Sequence, residues 1–261
     1  MPERSQRMFG VKDIFTTINL LGGIIAICLC VDGRPWEAGI AVMAGYMFGD
    51  TLDGYVARKL GTANQFGAEY DTIADHLSHV VAPAAIVYTV YKDVGLLPAP
   101  WNQVLAIGLC ASLIIAVSIR HARNIVAPVS YKGIWTGLPR SVVGFIAIGY
   151  CNATLAPHVF GGYWFGVVLI PLMSYATLTY LPFANHHLKR VSGGHWWYVN
   201  AAIAIFFVCS IGVMFVSPKF FFDVLTFWMV GYSLSSWMSL TPEERVKHKA
   251  VVAEAKAIAT S

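Results

Sequence analysis

Asp50-Thr-Leu-Asp53-Gly54-Tyr-Val-Ala57-Arg58, then eight residues, then Gly67-Ala-Glu-Tyr-Asp71-Thr-Ile-Ala-Asp75 is the stretch on which the fold turns. On a helix, positions 50, 53, 54, 57 and 58 share one face, because residues three and four apart are neighbours. Positions 67, 71 and 75 make a second stripe at intervals of four. Two helices joined by the short polar segment from Lys59 to Gln65 run antiparallel and bring the stripes together. Four carboxylates then face one another beside small residues. In an apolar chain such charges are costly unless a cation satisfies them, which marks them as functional.

The rest of the chain is apolar. Of 261 residues, 57% are hydrophobic and 12% charged, against roughly a quarter charged in a soluble domain. This composition reads as an all-α, polytopic membrane helix bundle. About eight stretches approach the ~20 apolar residues that a spanning helix needs: 13–31, 36–58, 67–91, 102–124, 138–156, 163–184, 196–216 and 220–239. Residues 1–12 read as a polar N-terminal cytoplasmic or interfacial segment without a signal-peptide pattern. Residues 13–184 form a six-helix core, 185–239 add two helices, and 240–261 form a cytoplasmic tail helix. With the N-terminus inside, all but Arg34, Lys92 and Lys219 of the 18 Lys and Arg fall on the inner side. Both termini are then cytoplasmic, and the four aspartates lie at one depth near the inner face of the cell membrane. The formal charge of +4 is dispersed among apolar segments, which argues against nucleic-acid binding. The five cysteines show no metal-ligand spacing and read as apolar filler.

Hard cations take oxygen ligands, and Mg²⁺ is commonly shared between carboxylates and substrate phosphates. Four aspartates on facing helices therefore suit one or two divalent ions bridging a diphosphate. A carboxylate left partly free can take a proton from an attacking hydroxyl. Gly54, Ala57 and Gly67 leave room on the same faces.

The pattern Asp-x2-Asp-Gly-x2-Ala-Arg-x8-Gly-x3-Asp-x3-Asp resembles the signature of the CDP-alcohol phosphotransferases, and every fixed position is present. The resemblance implies that Asp50, Asp53 and Asp71 ligate Mg²⁺ or Mn²⁺, as a pair of ions. Asp75 contributes to the second ion and acts as general base. Asp53, Gly54, Ala57, Arg58 and Gly67 surround the CDP moiety, and the family implies a homodimer. The acceptor hydroxyl attacks the phosphate of a CDP-linked lipid such as CDP-diacylglycerol, and CMP leaves.

Within the family, Phe15-Thr-Thr-Ile-Asn19, Val80-Val-Ala-Pro-Ala84, Arg120-x2-Arg123-Asn124 and Gly137-Leu-Pro139 resemble the bacterial and archaeal phosphatidylserine synthase branch, which implies L-serine as acceptor. Two departures bear on this. After Gly-Leu-Pro that branch has a second Pro and small residues, whereas Arg140-Ser141 stand here. That branch carries an Arg in a Ser-x-Arg-Tyr-Pro stretch, whereas Thr177-Leu-Thr-Tyr-Leu-Pro182 stands here. Arg120, Arg123, Asn124, Lys132 and Arg140 are the candidate acceptor-binding set, since guanidinium forks hold carboxylate or phosphate. Inositol phosphate or glycerol phosphate fits the same set, and cationic choline fits it worst. A multi-pass cation transporter is the rival of another class; such sites lie at the midplane across internal repeats, and no repeat is evident. His186-His187 read as a loop pair. The tail, opened by the capping-box sequence Thr241-Pro-Glu-Glu244, reads as a solvated or surface-lying helix.

Overall fold

A computed structural model describes residues 9–51, 64–131, 133–159, 161–184, 196–234, 236 and 240–260. The chain divides into two compact units, Met1–Ala106 and Ile107–Ser261.

In the first unit, α1 (Val11–Val31) packs against both α2 (Pro35–Gly45) and α3 (Gln65–Val94). Its inner face is Thr16, Asn19, Gly22, Gly23, Ala26 and Cys30, at helical intervals and all buried. Its outer face carries Ile14, Ile18, Leu21 and Ile25, all exposed. Small and polar residues inside with branched aliphatics outside is the distribution of a helix that faces lipid. The small residues let backbones touch. A Cβ on Gly23 would lie 2.8 Å from Ser78 Cα in α3, and one on Gly49 would lie 2.5 Å from the Asn19 backbone N.

Helices α2 and α3 are not regular throughout. A π-helical turn, Tyr46–Asp50, follows α2, and a second, Leu77–Val81, interrupts α3. Such one-turn widenings re-aim side chains and concentrate at functional sites. The α3 N-terminus is capped by Asn64, whose Oδ1 accepts the Gly67 N–H at 2.7 Å.

α4 (Trp101–Val126) gives its first turns to the first unit and the remainder to the second. The second unit adds α5 (Arg140–Asn152), the short α6 (Ala156–Val159), α7 (Tyr163–Leu178), α8 (Trp196–Val216), α9 (Phe221–Leu234) and α10 (Pro242–Thr260). α5 packs on α9 and α7. A described helix therefore lies in each apolar stretch read from the sequence, and α1, α3 and α4 are long and apolar enough to cross a membrane.

Three findings depart from the sequence reading. The sixth helix ends at Leu178, and the chain then forms β2 (Pro182–Ala184), which pairs antiparallel with β1 (Ile134–Thr136). The all-α reading thus acquires a two-stranded antiparallel sheet whose strands are separated by α5, α6 and α7; Pro182 cannot continue a helix, and Gly137, at φ +76°, turns the chain out of β1. Lys12 belongs to α1 rather than to a polar leader: it is buried with Asp13 and the two charges satisfy each other at 2.8 Å. Finally, α10 is docked rather than solvated. His248, Val252 and Ala255 form one buried stripe while Val246 and Ile258 are exposed. The capping box at its start forms as read: Thr241 N–H donates to Glu244 Oε2 at 2.9 Å, and Glu244 N–H donates to Thr241 Oγ1 at 3.3 Å.

Candidate functional site

The acidic site is built on α1. Asn19, fully buried, donates from Nδ2 to Asp75 Oδ1 at 2.8 Å and so orients the carboxylate. The close approach at Gly49 brings the end of the first π-turn, and with it Asp50, to the same place. His79, within the second π-turn and only 1% exposed, sets Nδ1 3.5 Å from Asp75 Oδ1. The ring of Tyr46 meets the His79 ring edge-on at 5.5 Å. One ligand atom each from Asp50, Asp75 and His79 all lie within 4.8 Å of one another.

This donor set fits a divalent cation. Ligands about 2.1 Å from a shared ion lie at most about 4.2 Å apart, so the cluster is within a small side-chain adjustment of a coordination sphere. Two carboxylates and an imidazole are hard-to-intermediate donors, compatible with Mg²⁺ or Mn²⁺. Asn19 Oδ1, buried beside Asp75, has no hydrogen-bond partner among the described residues.

Asp50 and Asp75 thus meet as the helical spacing predicts. Asp71 stands one turn before Asp75 on α3, half-buried and outside the Asp50, Asp75 and His79 group. Asp53, Gly54, Ala57, Arg58, Lys132 and the His186-His187 pair lie outside the described residues. At Gly67, a Cβ would coincide with Lys12 Nζ, so the room left by this glycine borders the ammonium of α1. His79 and Lys12 are the residues that reading the sequence missed. A signal for His79 was present, since it continues the stripe 67, 71, 75 by four.

The second unit gathers positive charge. Arg120 is 8% exposed, donates from one terminal nitrogen to the Thr136 carbonyl at 3.3 Å, and feels the like charges of Arg123 and Arg140. Arg123 donates to the Leu178 carbonyl at 2.6 Å and lies over the Tyr180 ring, 4.5 Å from its centre. Among the described residues, neither Arg120 nor Arg123 meets a carboxylate, and Arg120 Nε with Arg123 Nε and one terminal nitrogen lack a hydrogen-bond partner. Buried charge without a counter-charge is expensive, and an anion relieves it. Arg123 also reaches the stretch 177–182 that lacks the branch's own Arg. Asn124 is half-buried on the same helix. Beside this set, His248 of α10 places Nε2 3.2 Å from Thr136 Oγ1, and burial pushes its pKa below the usual histidine value.

The profile of the CDP-alcohol phosphatidyltransferase family matches residues 11–174. A CDP-diacylglycerol–serine O-phosphatidyltransferase of Methanocaldococcus jannaschii is 32% identical over 148 residues, which cover 56% of this chain and 63% of that protein. A protein of the same name from Mycobacterium leprae is 26% identical over 217 residues, 78% of this chain and 68% of its own. A phosphatidylinositol phosphate synthase of Cutibacterium acnes is 28% identical over 175 residues, 64% of this chain and 78% of its own. The chain therefore spans less than two thirds of the length of the Methanocaldococcus protein. The matched stretch holds Asp50, Asp71, Asp75, Arg120, Arg123 and Arg140 and stops before α8, α9 and α10; by that match, the chain belongs to the CDP-alcohol phosphatidyltransferase family.

Proposed function

We propose that this protein transfers a phosphatidyl group from CDP-diacylglycerol to the hydroxyl of L-serine and releases CMP. The observation that carries the reading is the meeting of Asp50 and Asp75, from the turn after α2 and from α3, with two arginines elsewhere, Arg120 buried and Arg123 half-buried, that meet no carboxylate among the described residues. In this reading Asp50, Asp53, Asp71 and Asp75 hold two ions, Mg²⁺ or Mn²⁺, and Gly54, Ala57, Arg58 and Gly67 surround the nucleotide. Held there, divalent ions would supply positive charge to the diphosphate. Asp75, held by Asn19, takes the proton from the acceptor hydroxyl. The hydroxyl oxygen bonds to the lipid-bearing phosphorus as the bond to CMP breaks. Arg120, Arg123, Asn124, Lys132 and Arg140 receive the serine carboxylate. We place about eight helices across the cell membrane, with both termini and the acidic site on the cytoplasmic side and two copies in the working unit. The supports for this arrangement are the Lys and Arg asymmetry and, for the dimer, the family likeness.

The test is direct. Purified protein receives CDP-diacylglycerol, Mg²⁺ or Mn²⁺, and in separate reactions L-serine, inositol phosphate, glycerol phosphate or choline, with CMP release measured. Release with serine, abolished by a chelator, is expected. The likeness to a phosphatidylinositol phosphate synthase, with buried arginines that suit phosphate equally, makes inositol phosphate the second reading. Release with that acceptor alone moves the assignment to it. No CMP with any alcohol overturns the chemistry.

His79 adds a nitrogen donor to an otherwise oxygen-based set, and imidazole suits transition metals better than Mg²⁺. His79→Phe is expected to weaken Mn²⁺ binding about ten-fold, read by electron paramagnetic resonance without turnover, and to change Mg²⁺ binding less. Equal Mn²⁺ affinity in the two proteins removes His79 from the site.

A further inference from the structure

The C-terminal helix α10 lies beyond the stretch matched by the family profile, yet it reaches the same scaffold that holds the arginines. Thr136 is gripped from both sides: its carbonyl accepts from Arg120, and its Oγ1 partners His248 Nε2 at 3.2 Å. His248, 3% exposed, also stands edge-on to the Tyr131 ring at 5.7 Å. Two turns further along α10, Lys256 Nζ lies over the Tyr180 ring at 4.7 Å, the same ring that Arg123 covers at 4.5 Å. Strand β2 is tied down independently, since Tyr232 of α9 donates to the Ala184 carbonyl at 2.8 Å and stacks on Phe183. Each arginine therefore rests on a residue that α10 also touches, Thr136 through His248 and Tyr180 through Lys256.

We propose that α10 is a positioning element for acceptor binding: His248 and Lys256 hold Thr136 and Tyr180 where Arg120 and Arg123 converge on the anionic group, carboxylate or phosphate, of a small alcohol. The proposal rests on the assignment of the arginines to the acceptor. The physical reason is preorganisation. A guanidinium pair binds a planar anion well only when its forks are already set, because ordering long side chains at the moment of binding costs affinity. Backbone carbonyls at Thr136 and Leu178 set them, and α10 keeps the segment bearing those carbonyls in place.

The experiment uses the full chain with CDP-diacylglycerol, metal and serine, and measures the Michaelis constant of each substrate separately. Lys256→Ala, on an exposed side chain, is expected to raise the serine constant about five-fold through loss of the cation over the ring. His248→Ala is expected to raise it about ten-fold through loss of the buried hydrogen bond. In both variants kcat and the CDP-diacylglycerol constant stay within two-fold, and His248→Gln, which keeps a group able to bond Thr136, restores most of the serine affinity. Arg120→Met is run beside them. If it raises the serine constant while both α10 variants leave it unchanged, the role of α10 is overturned and the acceptor assignment stands. If Arg120→Met also leaves it unchanged, both fall. An equal rise for both substrates marks α10 as a general structural support and overturns the proposal as well.

Discussion

Asp75→Asn is expected to lower CMP release by about a thousand-fold, within the range that general-base catalysis contributes, while CDP-diacylglycerol binding changes by only a few fold. The substitution keeps the shape of the side chain and an oxygen that can still accept from Asn19 Nδ2, now 2.8 Å from Asp75 Oδ1. What it removes is the capacity to take a proton and one unit of negative charge. Loss of that charge also weakens metal binding, so the measurement is made at saturating Mn²⁺, and occupancy is checked by electron paramagnetic resonance. Turnover above a tenth of the parent at full occupancy removes Asp75 from the role of base. A variant with empty metal sites at saturation assigns it to ligation instead.

Arg120→Met is expected to raise the acceptor Michaelis constant about thirty-fold or more, since truncating one partner of a buried charged contact costs about 2 kcal/mol or more. The same variant is expected to be at least as stable to heat as the parent. Arg120 is a buried cation with an unpartnered Nε and no carboxylate against it among the described residues, and replacing such a charge with an apolar side chain of similar length is commonly neutral or stabilising. The two signs together separate function from architecture. A residue that only holds the fold loses stability when replaced, whereas a residue kept for an anion loses affinity and gains stability. A falling midpoint with an unchanged acceptor constant makes Arg120 a structural residue.

How much was legible beforehand differs from residue to residue. Asp50 and Asp75 were readable because each stripe follows the period of its own helix, and a polar stripe in an apolar chain has few explanations. The tail cap was readable because Thr241 and Glu244 bond across one turn. Gly22 and Gly23 pack against α2 and the Ser78 turn of α3, partners that no local pattern names. His79 continues the stripe of Asp75 but belongs to no motif, and its meeting with Asp50 depends on two π-turns that no local propensity reports. The charged composition of α10 reads as a solvated or surface-lying helix. Among its described residues His248, Val252 and Ala255 are buried, and His248 reaches Thr136 of β1, more than a hundred residues earlier.

What this sequence determined alone was therefore whatever is set within a turn or two of helix: the placement of the apolar stretches, the acidic stripes and the caps. Only the tertiary structure decided that Asn19 holds Asp75, that His79 completes the cluster, and that two arginines rest on carbonyls supported by the last helix. The reason is physical. Helical period is imposed by bonds four residues apart, whereas which faces meet is settled by the shape of small-residue surfaces on distant segments and by the cost of leaving buried charge without a partner.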